Sequence, residues 1–290
     1  MGEGEESKTR AEAGVEIQER GEIFFFYRPK VGKQQVHGPD DVQRLYIILR
    51  PESGERAVEE KQLPNASSRR TQEVNIEKQP LLRFMIMGRK SLPNPAQKRR
   101  PYWGFVDMVT TNVQDVKAAL QEGEYDSSTR GHRHISAARA VGEGIYRLVR
   151  HKQPDTQKSK KSYHTHLIYK LEFPSEDEEN EPQNSFNIGR EGSFLIMIKN
   201  PDVEGDGSRN KRRAQFPAHL QGEFGHTRFH PADPPDYLNF EGCEFLLISA
   251  SDDIEQELGL ELTTAPHECD LVKMFGETTS TQPLLKGTWV

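Results

Sequence analysis

Apolar positions in this chain come in short runs bounded by Pro, Gly, Asn and Ser, which is the signature of strands rather than of helices. Ile23-Phe24-Phe25-Phe26-Tyr27-Arg28 is aromatic and stops at Pro29, and Leu45-Tyr46-Ile47-Ile48-Leu49 is closed by Pro51-Glu52-Ser53-Gly54. Leu81 to Met87 predicts a third strand and Tyr102 to Thr110 a fourth. A short helix follows, with Asn112 or Gln114 as its cap and Val116, Ala119 and Leu120 as its apolar side.

The same order recurs further along. Ile145-Tyr146-Arg147-Leu148-Val149-Arg150 reads against Ile23 to Arg28, and Leu167 to Leu171 against Leu45 to Leu49. Asn75 to Ile86 reads against Asn187 to Ile198: each opens Asn-Ile, passes a basic residue and a turn, and ends Met-Ile. Phe245 to Ile248 is then a fourth strand, and Asp252 or Asp253 caps a helix through Ile254, Leu258 and Leu260. The expectation is a β-dominated α+β protein of two internally duplicated β-β-β-β-α units packed as a pseudo-symmetric pair. Period-two spacing groups Leu82, Phe84 and Ile86 on one face, and Phe194, Ile196 and Ile198 on its counterpart. Phe84 and Ile196 are therefore expected at equivalent buried positions. The divisions are a mobile acidic tail (1–20), a first repeat (21–128), a basic bridge (129–141), a second repeat (142–262) with an insertion (214–240), and a C-terminal extension (263–290).

Composition adjusts this picture. Hydrophobic residues are 33% of the 290 and charged residues 29%, so loops or tails dilute the core. The formal net charge of -6 argues against bulk binding to nucleic acid or anionic membranes, and sequence-specific nucleic acid is not an expected partner. No apolar stretch approaches bilayer length, so no membrane insertion is expected. The start lacks a secretory h-region. Cys243 and Cys269 have no zinc spacing and read as free thiols. A cytoplasmic or nuclear location is expected by elimination.

Two sets of residues bear on chemistry. The first is basic. Lys98-Arg99-Arg100 and Lys211-Arg212-Arg213 each follow a third strand, and Thr129-Arg130-Gly131-His132-Arg133-His134 opens the second half. Arg presents a planar fork suited to phosphate or carboxylate. Arg99, Arg100, Arg130, His132, Arg133, His134, Arg212 and Arg213 are thus candidates for binding an anionic small molecule or an acidic protein surface. Against this stands the reading of solvated loops. The second set is metal-like. His164 and His166 share a strand face with Ile168 and Lys170, and the insertion supplies His226, His230 and Asp233. Together they would make a mixed nitrogen and oxygen site for a divalent metal. Against it stands the plainer reading of surface or hydrogen-bonded histidines, with no cofactor. The chain has no phosphate loop, dinucleotide fingerprint or nucleophile elbow.

Gly21 to Val31, Thr129 to His134, Ala140 to Tyr146 and Phe240 to Ala250 together carry a resemblance to a family of uncharacterised plant proteins with shorter bacterial relatives. It covers nearly everything after the acidic start. It implies a soluble cytosolic or nuclear protein, and supplies no fold, cofactor or catalytic residue. The sequence thus supports a non-catalytic binding or adaptor protein, with a metal-assisted hydrolase as the alternative.

Overall fold

The two runs of strands pair edge to edge into a single closed wall. The computed structural model describes residues 4–10, 14–52, 81–97, 100–129, 131–152, 163–175, 180–203, 212–264, 270–276 and 278–290. In chain order the elements are β1 (Glu5–Lys8), β2 (Val15–Pro29), β3 (Val42–Pro51), β4 (Leu82–Met87), β5 (Tyr102–Thr110), α1 (Val113–Leu120), β6 (Gly123–Ser127), β7 (Gly131–Ile135), β8 (Arg139–Lys152) and β9 (Tyr163–Phe173). They continue with α2 (Glu181–Ser185), β10 (Glu191–Lys199), α3 (Ala218–Glu223), β11 (Phe229–Pro231), β12 (Glu244–Ser251), α4 (Ile254–Leu258), β13 (Leu260–Thr263), α5 (Asp270–Phe275) and α6 (Gln282–Lys286).

β2, β3, β4 and β5 form one antiparallel meander, and β8, β9, β10 and β12 form the other. The first strands of the two meanders pair (β2 with β8), and so do the last (β5 with β12). The result is a closed antiparallel barrel of eight strands. The α+β, β-dominated class expected from the sequence is what the chain adopts. The two halves are not separate domains that touch; they share one wall and one core.

That core fills the lumen. Ile23, Phe25, Leu45, Ile47, Met85, Val106, Tyr146, Leu148, Leu167, Tyr169, Phe194, Ile196, Phe245 and Leu247 come from all eight strands and belong to one buried cluster. Aromatic rings close both ends. Tyr27, Phe186 and Trp289 meet edge-on at one end, with centroids 5.4–5.6 Å apart. Phe216, Phe224, Tyr237 and Phe240, from the 214–240 insertion, close the other. The barrel is a packed core, not a channel.

Two smaller clusters lie outside the wall. Phe24, Phe26, Ile48, Phe84 and Ile86 are covered by α1, α5 and α6 through Val116, Leu120, Leu271, Phe275 and Leu284. Ile145, Val149 and Ile168 are covered by α4 and β13 through Ile254, Leu258, Leu260 and Leu262. Both sequence-predicted caps hold: Asn112 accepts from the Gln114 backbone N–H at 3.1 Å, and Asp253 from that of Gln256 at 2.7 Å.

Three expectations need correction. First, Phe84 and Ile196 are both buried but on opposite sides of the wall: Ile196 faces the lumen and Phe84 faces α1 and α5. Ile23 and Ile145 likewise point in opposite directions. The residue-by-residue match is therefore out of register in the first and third strands of each half, because a one-residue slip exchanges the faces of a strand, whereas Leu45, Ile47 and Leu49 enter the lumen as their counterparts Leu167, Tyr169 and Leu171 do. Asn75-Ile76, one half of the lead-in that set the match, lies outside the described residues. Second, the acidic start is not a tail where it is described. β1 pairs with β13, and the buried Arg147 guanidinium holds it by donating to Glu6 at 2.7 Å and to the Gly4 carbonyl at 2.6 Å. Third, β2 begins at Val15, inside the segment assigned to that tail.

Candidate functional site

β4 and β10 run in opposite directions along the barrel. The loops that follow them therefore leave from opposite ends, and Arg100 and Arg212 do not share a site. Lys98, Arg99, Arg130 and Lys211 lie outside the described residues. Arg212 donates to Glu241 at 2.9 Å and to the Asp107 carbonyl at 3.2 Å, while Arg213 is exposed beside Lys199 and Glu244. His132, Arg133 and His134 form β7, paired with the acidic strand β6. Glu124 and Asp126 lie 3.2 and 3.1 Å from the His132 ring nitrogens, and Glu122 lies 3.7 Å from His134. The positive charge of this segment thus faces local acids.

The histidine candidates separate too. Alternation along β9 is as expected: Leu167, Tyr169 and Leu171 enter the lumen, and His166 and Ile168 face outward. His166 is buried against His151, with ring centroids 5.7 Å apart, and His151 pairs across the ladder with His164. Burial, then the neighbouring His151 and His164, takes His166 down to about 3, so it is neutral at ordinary pH. His230 packs on Phe224 and Tyr237, and His226 is exposed beyond α3. Asp233 pairs with Arg150 at 3.3 Å at the barrel mouth. Among the described residues no group of three or more His, Cys, Asp or Glu is arranged to hold a metal ion.

Among the described residues, neither Ser193 nor Cys243 is set up as a nucleophile. His166 Nδ1 lies 3.0 Å from Ser193 Oγ, but Glu257 approaches the same nitrogen, at 3.8 Å. A relay needs the acid on the other ring nitrogen. Ser193 is also wholly buried, and burial pushes the Cys243 thiol far above its usual range.

Inside the barrel a polar network interrupts the apolar lumen. Arg83 grips Glu19 with both terminal nitrogens, at 2.6 and 2.8 Å, and its Nε donates to Asn239 at 2.8 Å. The Tyr146 hydroxyl donates to the same carboxylate at 2.7 Å. Arg83 is 1% exposed, so this is a closed structural clamp rather than a binding surface.

On the outer wall, Glu172 stands near Glu143, Glu22 and Asp270. Burial, and then these three carboxylates, raise it to about 7. A raised acid is stabilising only while protonated in the folded state. Between about 4.5 and 7 the unfolded chain releases this proton and the folded chain keeps it, so stability falls as pH rises through that window. Glu172→Gln removes the loss. Its melting temperature is expected to match the parent at pH 4 and to exceed it at pH 8; an equal or lower value at pH 8 would contradict the assignment.

A recess sits at the rim, in the connection from β9 to β10. Two asparagines shape that connection: Asn180 precedes α2 at φ 55° and Asn187 follows it at φ 54°. Asn tolerates the left-handed region better than other residues with a Cβ, and these two turn the chain back on itself. Asn187 also donates to the Leu92 carbonyl at 3.0 Å, tying the connection to the neighbouring loop. A cavity of about 340 Å³ results. Leu171, Pro174 and Ile188 give it apolar walls; Asn180, Asn184, Gln183 and Arg190 give it polar ones. Arg190 is held in place, donating to the Pro174 carbonyl at 2.6 Å. Gln183 is 2% exposed and spends both amide hydrogens on the Val141 and Pro283 carbonyls, at 2.7 and 3.1 Å. That fixes its orientation and the placement of α2, because a flipped amide would set oxygen against two carbonyls.

The sequence pointed to none of these residues as a site. The one available signal was Asn187-Ile188-Gly189-Arg190, read only as a strand lead-in. Comparison of the chain with family models, with curated proteins and with solved structures returns no match.

Proposed function

We propose that this chain is a non-catalytic binding protein whose rim cavity takes a small anionic molecule. The observation that carries this reading is the guanidinium of Arg190, pinned in the wall of a cavity of about 340 Å³ whose other walls combine Leu171, Pro174 and Ile188 with Asn180, Gln183 and Asn184. Ligand pockets of about 300–1,000 Å³ combine apolar walls with a few fixed polar groups. A guanidinium selects carboxylate or phosphate. The packed lumen leaves no room for a ligand inside the barrel, which favours the rim.

The same proposal treats the halves as an internal duplication. In its support, each half is four antiparallel strands followed by a capped helix, and first pairs with first as last pairs with last. The 214–240 insertion is then a departure from the repeat, which is where a function acquired after duplication would sit.

The test is a thermal-shift screen of small carboxylates and phosphate esters. A ligand at one hundred times its Kd adds about 2.7 kcal/mol. At least one anion is expected to raise the melting temperature of the parent and to lose its effect on both Arg190→Ala and the cavity-filling Ile188→Trp. Anions that stabilise all three proteins equally, or none at all, would end this reading.

A further inference from the structure

Among the described residues, the wall of the barrel is covered by other elements on two sides and less fully on a third, where Leu246 is 6% exposed and Trp103 stands in water. Helices α1, α5 and α6 lie over β2, β3 and β4, while α4 and β13 lie over β8 and β9. The outward side chains of β5, β12, β10 and β11 include Trp103, Leu246, Ile248, Met197 and Phe229, and none of these belongs to any of the three buried clusters. They are nonetheless neighbours. Trp103 pairs across the ladder with Leu246, and Leu246 with Met197, while Phe229 pairs with Lys199 on the far side of β10. The Trp103 ring lies 5.8 Å from that of Phe229. Trp103 is 40% exposed, a large apolar area to leave in water.

Charge defines what fits there. Arg228 stacks over Phe229 at 5.5 Å. Arg213 is exposed next to Lys199 and Gly242. Within the face, Lys199 lies 5.8 Å over the Trp103 ring and is neutralised by Glu244 at 2.5 Å. The middle is thus apolar and charge-balanced, and the edge carries two exposed guanidinium groups, on a chain whose net charge is -6. Apolar centre, aromatic and Arg anchors, and polar rim is the anatomy of a protein-binding patch. The pattern is less suited to nucleic acid. Trp103 and Phe229 are tilted by 53° and give no parallel stacking platform, and the negative chain repels a polyanion at long range.

We infer that the outer face of β5, β12, β10 and β11 docks an acidic segment of a partner protein, which seats an apolar side chain against Trp103 and sets carboxylates against Arg213 and Arg228. This surface is separate from the rim cavity and does not depend on it.

A random dodecapeptide display library selected against the immobilised full chain tests this. The expected winners carry Asp or Glu around a Leu, Phe or Trp. A synthetic copy of the leading peptide is expected to bind at least tenfold more weakly to Trp103→Ala, and to Arg213→Glu combined with Arg228→Glu. Its affinity is expected to fall as NaCl rises, because exposed charge pairs are screened. These positions are on the surface, so circular dichroism melts of the variants should superimpose on the parent. Four results would each overturn the inference. They are a selection without enrichment, winners that are basic or uncharged, binding indifferent to Trp103, and tighter binding of a fifteen-nucleotide oligo-dT than of any selected peptide. Sedimentation adds a fifth: a dimer that disappears in Trp103→Ala would assign the face to a second copy of this chain.

Discussion

Replacing Arg83 with Met is expected to cost about 3–5 kcal/mol, enough to remove a large part of the stability of an ordinary domain. The side chain is 1% exposed, and Glu19, which it holds at 2.6 and 2.8 Å, is 9% exposed. Met has the length to fill much of the space but no charge, so Glu19 is left ionised in the lumen with the Tyr146 hydroxyl as its remaining polar contact. An unpaired buried charge is what makes the single substitution expensive. The argument predicts a second result. Arg83→Met combined with Glu19→Leu removes both charges and is expected to recover much of the loss, because two apolar side chains suit the lumen better than one stranded carboxylate. Urea denaturation of the parent, both single variants and the double variant gives all four free energies. A cost below about 1 kcal/mol for Arg83→Met would mean that water reaches the pair, as it does for surface ion pairs.

The strands were legible in the sequence; their facing was not. β5 was read with its observed bounds, Tyr102–Thr110, because buried and more exposed residues alternate along much of it. β4 was found too, but all six of its residues are buried, one set in the lumen and the other under α1 and α5. With apolar side chains on both faces, the pattern fixes that a strand exists and not which way it faces. Matching Phe84 to Ile196 by residue type therefore slipped by one. β1 was missed for the opposite reason. Glu5, Glu6, Ser7 and Lys8 have no apolar alternation, and their order comes from Arg147, far away in sequence. The basic triplets read as one related pair; strand direction sets Arg100 and Arg212, the members of each that are described, toward opposite ends of the barrel. The rim cavity was illegible because it belongs to a connection, where the determinants are two left-handed asparagines and the packing of one buried amide. No periodicity reports those.

The placement of Phe84 and Ile196 on opposite sides of the wall carries the second large prediction. Phe84→Ala is expected to cost about 3–5 kcal/mol and Ile196→Ala about 2–5 kcal/mol, from lost burial and the cavity each leaves. Phe84 is 2% exposed and its ring lies 5.0 Å from that of Tyr46, while Ile196 is fully buried among the lumen residues. Around the barrel β5 and β12 stand between β4 and β10, which separates the two residues by roughly 14 Å at ordinary strand spacing. Side chains that far apart with no shared cluster should contribute independently, within about 0.5 kcal/mol. Had the two been equivalent members of one symmetric core, their cavities would interact and the costs would not add. The alanine pair together would exhaust the stability of many domains, so the cycle is better run with Ile196→Val, expected to cost about 0.5–1.5 kcal/mol, against Phe84→Leu. A coupling above about 1 kcal/mol between those two would place both side chains in one core and contradict the separation of lumen from outer wall.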